Sequence, residues 1–231
     1  LRMNLTYKLI KHEIIDFLKQ PPLWILVLLP IVMSVMIIGV MSDTGQEMML
    51  LPSWILFAQV MVGIMITAPN FIEEKEHKTL DALMISPLTL NEVIMAKGTT
   101  ILLFSFLSQT LVYLLNTGFD LELLKVIPLM VAGGILFIQI GIIIGLTMNS
   151  SKTASALSSI VMITLFLIGT LYQVLPAWED VLKFIPSVVV AENIFAIFNR
   201  KILWFELGLL LLWILICYLI IQYLVKKELN R

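Results

Sequence analysis

Six long apolar runs parted by polar segments constrain the fold of this chain more than any other feature, at about residues 23–41, 51–68, 98–115, 126–148, 154–171 and 202–225. At 1.5 Å of rise per residue, about nineteen helical residues come close to the roughly 30 Å hydrocarbon core of a bilayer. Hydrophobic residues make up 60% of the chain, charged residues only 13%, and the mean hydropathy is +1.01. A water-soluble domain of 231 residues cannot hide that much apolar surface. The expected fold class is therefore an all-α integral membrane protein with six transmembrane helices, a single domain over residues 1–231 whose solvent is membrane lipid. The formal net charge of -1 gives no electrostatic case for a nucleic-acid partner. A lone cysteine, Cys217, excludes an intramolecular disulfide framework, and His12 and His77 stand too far apart to suggest a metal site.

Ahead of the first run, residues 3–20 read as an amphipathic helix. Tyr7, Ile10, Ile14, Phe17 and Leu18 recur at helical spacing, while Lys8, Lys11, His12, Asp16 and Lys19 occupy much of the other face. Such a helix suits the membrane interface, with lysines reaching headgroups. Pro21 and Pro22 end it and start the first span.

The longest organised polar insertion follows the second span, over residues 71–97. Pro69 is expected to interrupt that span, and Asn70 with Glu73 has the spacing of a capping box that starts a new helix. On this helix Ile72, Leu80, Leu83 and Met84 can share one face, and Glu74 and Lys78 stand at i,i+4 in the favourable order. Ser86-Pro87 ends it, because a residue before proline is biased out of the helical region. Thr89 and Glu92 form a second capping box, from which a helix runs through Lys97 and Gly98 into the third span. The charges here are either a docking surface or a solvated turn between spans.

Residues 173–201 are too apolar for an ordinary loop, and Pro176 and Pro186 divide them into pieces too short to cross. Two short re-entrant helices fit better than a seventh span, which would have to bury Lys183, Glu192 and the Pro186 break. Glu192, acidic within an apolar stretch, is either a hydrogen-bonded anchor or part of an outer gate with Pro186, and Glu206 has a weaker case of the same kind. Gly141-x-x-x-Gly145 in the fourth span predicts close helix packing. Ser105, Ser108, Gln109, Thr110, Gln139, Ser155, Ser158 and Ser159 either line a substrate path or bond across helices.

Six spans put both termini on one side, together with residues 71–97. That side holds Arg2, Lys8, Lys11, Lys19, Lys75, Lys78, Lys97, Lys152, Lys226, Lys227 and Arg231, against Lys125, Lys183, Arg200 and Lys201 on the other. The asymmetry predicts cytoplasmic termini in the cell membrane, inner or plasma.

The stretch EEKEHKTLDALMISPLTLNEVIMAKG resembles the signature region of ABC-2 type transporter permeases. The matching residues are Glu74, Glu76, Thr79, Leu80, Asp81, Leu83, Ser86, Pro87, Glu92, Lys97 and Gly98, with Lys78 where that family commonly has glycine. The resemblance extends over the chain: an amphipathic start, six spans and a proline-broken segment before the last. It implies one subunit of an exporter in which two permeases, identical or paralogous, work as a dimer with two separate ATPases. Residues 71–90 would then be a cytoplasmic coupling region, its first helix seated on the ATPase through Ile72, Glu73, Glu74, Glu76, Thr79, Leu80, Asp81, Leu83 and Met84. Ser86, Pro87, Glu92, Lys97 and Gly98 would link it to the third span. No G-x-x-x-x-G-K-[ST] phosphate loop occurs, so this chain is not expected to be an enzyme or to carry a cofactor; ATP and Mg belong to the partner. The implied cargo is hydrophobic or amphipathic. The competing function is a non-transport assembly or sensory subunit that anchors an ATPase.

Overall fold

In the computed structural model the described residues are 2–41, 47–76, 89–172 and 178–229. They are helical throughout apart from short turns, and no strand occurs among them. Helix α1 covers Arg2–Leu18 and α2 covers Pro21–Met41. The second span is one unbroken helical run made of α3 (Glu47–Val60), a π-helical stretch (Met61–Ile66) and α4 (Thr67–Glu76). Then come α5 (Leu90–Thr117), α6 (Leu121–Thr147), α7 (Ser151–Leu171), the single turn α8 (Glu179–Leu182), α9 (Pro186–Phe198) and α10 (Trp204–Leu229). Six of these runs are long and apolar enough to cross a membrane, so the chain is a multi-pass membrane protein.

The element boundaries follow local chemistry. Pro21 opens α2, with only Lys19 and Gln20 between it and the end of α1. Thr89 caps α5 through a complete capping box: its hydroxyl accepts from the Glu92 N–H at 3.3 Å, and its own N–H donates to Glu92 Oε2 at 2.7 Å. Asp120 caps α6 by accepting from the Leu123 N–H at 3.0 Å, and Ser150 caps α7 by accepting from the Thr153 N–H at 3.3 Å. Pro186 occupies the first position of α9, where its missing N–H costs nothing.

One expectation fails here. Pro69 does not break the second span, and Asn70 is not an N-cap; both lie inside the continuous helix that runs on to Glu76. The physical reason lies just upstream. The wider π-turns of Met61–Ile66 shift the hydrogen-bond register ahead of the proline, and packing on neighbouring helices supports a backbone that proline alone would interrupt.

The core sits around the second and fourth spans. In the second, 72% of the span is buried within the protein, against 22% for the fifth and sixth, which leave most of their apolar surface exposed on this chain. Glycines on α6 allow the approach. A Cβ at Gly141 would lie 2.7 Å from Thr67 Cβ and 2.8 Å from the Gly63 carbonyl oxygen, and one at Gly145 would lie 2.9 Å from Phe71 Cβ. The glycine pair predicted to pack closely therefore does so, against the π-helical stretch and α4.

Candidate functional site

At the end of the bundle that holds the amino terminus, three elements meet at Lys97. Its stem arises from the second turn of α5 and its side chain is 5% exposed. The ammonium donates to Asn70 Oδ1 on α4 at 2.8 Å and to Glu13 Oε2 on α1 at 3.3 Å. A buried ammonium is costly unless paired and hydrogen-bonded, and these partners supply both. Four residues after Glu13 on the same face, Phe17 stacks on Phe104 of α5 with ring centroids 3.8 Å apart, and Trp24 meets Phe104 edge-on at 5.6 Å. Lys97 and Phe104 are two turns apart, so α1 lies along the third span, held by one polar and one aromatic contact.

The same α4 segment is fixed on a second side. Phe71 and Ile72 are buried, and Thr67, Ala68 and Phe71 bear on Gly141 and Gly145 of the fourth span. Glu73, Glu74 and Glu76 continue the helix beyond these contacts, and only their backbone belongs to the described structure. Thr79, Leu80, Asp81, Leu83, Met84, Ser86 and Pro87 lie outside the described residues. Glu92 closes the capping box of α5, and Gly98 follows Lys97 on the same helix. Thus the structure brings together Lys97, Asn70 and the end of the second span. Glu13 and Asn70 escape sequence reasoning, the first because its partner is 84 residues away, the second because its spacing to Glu73 points to a cap.

Halfway along the bundle the weakly polar side chains mostly bond across or along helices. Gln59 Nε2 on α3 donates to Gln109 Oε1 on α5 at 2.9 Å, Gln109 Nε2 donates to the Ser105 hydroxyl at 3.1 Å, and the Ser108 hydroxyl donates to the Val27 carbonyl at 2.7 Å. Ser158 and Ser159 both bond back to the Ser155 carbonyl. Thr110 and Gln139 differ: the Thr110 hydroxyl and the Gln139 Oε1 are buried and find no partner among the described residues, and Gln139 lines a groove of about 460 Å³ with Asn91, Thr99, Tyr218 and Gln222. Gln59 is readable in principle, as an amide in the middle of an apolar run.

The segment before the last span forms two helices separated ahead of Pro186. At 13 residues α9 is about 20 Å long, too short to cross. It is nevertheless largely buried, with Asn193 Nδ2 donating to the Val189 carbonyl at 2.8 Å and Glu192 half-buried. Trp213 on α10 pins the preceding turn by donating to the Phe184 carbonyl at 2.9 Å. Among the described residues no group of three or more His, Cys, Asp or Glu is placed to hold a metal ion.

A family model described as ABC-2 family transporter protein matches residues 41–223, from the end of the first span to the last turns of the sixth. No curated protein matches the chain. With six membrane-crossing helices and a match over most of its length, the chain belongs to the ABC-2 family of transporter proteins, membrane transport components that pair with an ATP-binding cassette subunit.

Proposed function

We propose that this chain is the permease half of an ATP-driven exporter, working as a dimer and moving a hydrophobic or amphipathic cargo. The observation that carries this reading is the unbroken helix from Glu47 to Glu76, tied by Asn70 to Lys97 and by Thr67 and Phe71 to the fourth-span glycines. A hinge at Pro69 would have absorbed a push on residues 73–76. A continuous helix instead transmits it to the second span and, through Lys97, to the third span and α1.

In this reading the ATPase seats against residues 71–90 at the cytoplasmic face, and ATP and Mg bind on that partner. Acidic side chains at Glu73, Glu74, Glu76 and Asp81 would meet basic or hydrogen-bonding groups there, fixing register more than adding affinity. Ser86, Pro87 and Glu92 would carry the chain from the coupling helix to α5. Pro186 and Glu192 would form the outer gate or its anchor.

The test is the variant Glu74→Ala with Glu76→Ala. Loss of ATPase copurification, with ATP-dependent flux into vesicles abolished, is the expected result. Unchanged association with normal stimulated hydrolysis overturns the docking role, and normal association without any vectorial flux in the unaltered protein overturns transport.

A further inference from the structure

At the opposite end of the bundle from the termini, a cavity of about 440 Å³ opens between the fourth span, α9 and the sixth span. Its walls are apolar, including Pro128, Leu129 and Leu207, yet Lys125, Arg200 and Lys201 all line it. The sequence places only four cations at this end, and three of them converge on this one cavity. Trp204, the first residue of the last span, stands 77% exposed beside it, at the level where tryptophan marks the headgroup region.

The turn that presents two of these cations is strained. Arg200 has φ 54, a left-handed conformation that favours glycine, and it is the only non-glycine residue with positive φ among the described residues. It closes α9 in a Schellman arrangement, with the Arg200 N–H donating to the Ile197 carbonyl at 2.9 Å and the Lys201 N–H to the Ala196 carbonyl at 2.8 Å. A helix C-terminus favours cations by itself. Lys125 lies in the first turns of α6 and gains nothing from that dipole, so the convergence needs another reason. Glu122 offsets part of the charge, with Arg200 Nε 3.8 Å from its Oε1, a loose pair.

We propose that this cavity binds an anionic phospholipid, its phosphate held by Lys125, Arg200 and Lys201 and the upper part of an acyl chain lying against Pro128, Leu129 and Leu207. A free phosphate would use the cations and leave the apolar wall idle. A zwitterionic lipid would bring the same phosphate but add its own ammonium to a rim that is already positive. The site is independent of the transport reading.

The experiment is a lipid titration of the purified full chain followed by native mass spectrometry, with phosphatidylglycerol and phosphatidylcholine as probes. The unaltered protein is expected to retain phosphatidylglycerol in preference. Lys125→Gln, Arg200→Gly and Lys201→Gln together should reduce that preference roughly tenfold or more. Glycine at position 200 keeps the turn, so the fold survives the loss of charge. Leu207→Trp, which fills the cavity and spares the cations, should weaken retention of the lipid. No preference in the unaltered protein, or an undiminished preference in the triple variant, overturns the proposal. Displacement of the bound lipid by millimolar inorganic phosphate also overturns it, since the site would then recognise a free anion.

Discussion

Replacing Lys97 with methionine removes the ammonium that joins α1, α4 and α5 while keeping most of the buried stem. At 3.3 Å, the attraction between Lys97 and Glu13 is about 5 kcal/mol at an effective dielectric near 20. Desolvation of the buried ammonium offsets much of that, and a charge-assisted hydrogen bond nets about 1.5–3 kcal/mol. Methionine leaves Asn70 Oδ1 without this donor and Glu13, whose side chain is 16% exposed, without its cation. The expected cost is about 2–3 kcal/mol, or roughly 4–12 °C in Tm for a chain of this length. Thermal unfolding in one detergent at one scan rate reads it. A double-mutant cycle with Glu13→Gln isolates the pair, and its coupling should exceed about 1 kcal/mol. Strictly additive effects, or a Tm unchanged by Lys97→Met, would refute the three-way joint and remove the route from α4 to α1.

Three further outcomes test the packing and capping. Gly141→Ala should destabilise by about 1–3 kcal/mol in the same unfolding assay, because its Cβ would meet the Gly63 carbonyl at 2.8 Å, an atom that cannot yield cheaply. Gly208→Ala, with nothing within 4 Å of the added Cβ, should be neutral or slightly stabilising and serves as its control. Gln59→Leu should cost about 1 kcal/mol, and a cycle with Gln109→Leu should give a coupling within the roughly 0.6–1.7 kcal/mol range of interhelical bonds in membranes. For Asp120, the Tyr113 hydroxyl donates at 2.7 Å and, with the Leu123 N–H, holds the carboxyl below the usual carboxylate range. A depressed carboxyl contributes stability above its unfolded pKa of about 3.9 and loses it as pH falls through the lower folded value. The Tm difference between the unaltered protein and Asp120→Ala should therefore hold steady from about pH 5 to about pH 8 and shrink below about pH 4.

Features written in neighbouring residues are legible in the sequence alone. The Thr89 and Glu92 box, the Pro21-Pro22 boundary, the Pro186 division and the six apolar runs each depend on a few consecutive positions, and each stands in the fold where those positions predict it. The Gly141 and Gly145 pair is legible as a packing signal, but its partner face on the second span is not. Pro69 misleads because a local rule is applied where surrounding helices and a π-helical stretch decide the outcome. In the candidate site, Lys97 is marked by resemblance alone. Its partners at Glu13 and Asn70 come from elements 84 and 27 residues away, and no periodicity within one helix encodes such a meeting. The mid-bundle amides are visible as polar residues in apolar runs, while their choice between lining a path and bridging helices depends on the arrangement of several spans.

The Gln59 amide also sets an order of events during synthesis. Its acceptors include the Leu129 carbonyl, 70 residues downstream, which at about 5–20 residues per second emerges from the ribosome roughly 4–14 s later. Until then the most deeply buried helix of the finished protein resides in the bilayer without the fourth-span helix that completes its surroundings. The third span arrives first, and Gln109 can engage the amide as an interim partner. The side chain that ties the second helix to the fourth thus goes without its full set of acceptors for the few seconds that separate the two spans.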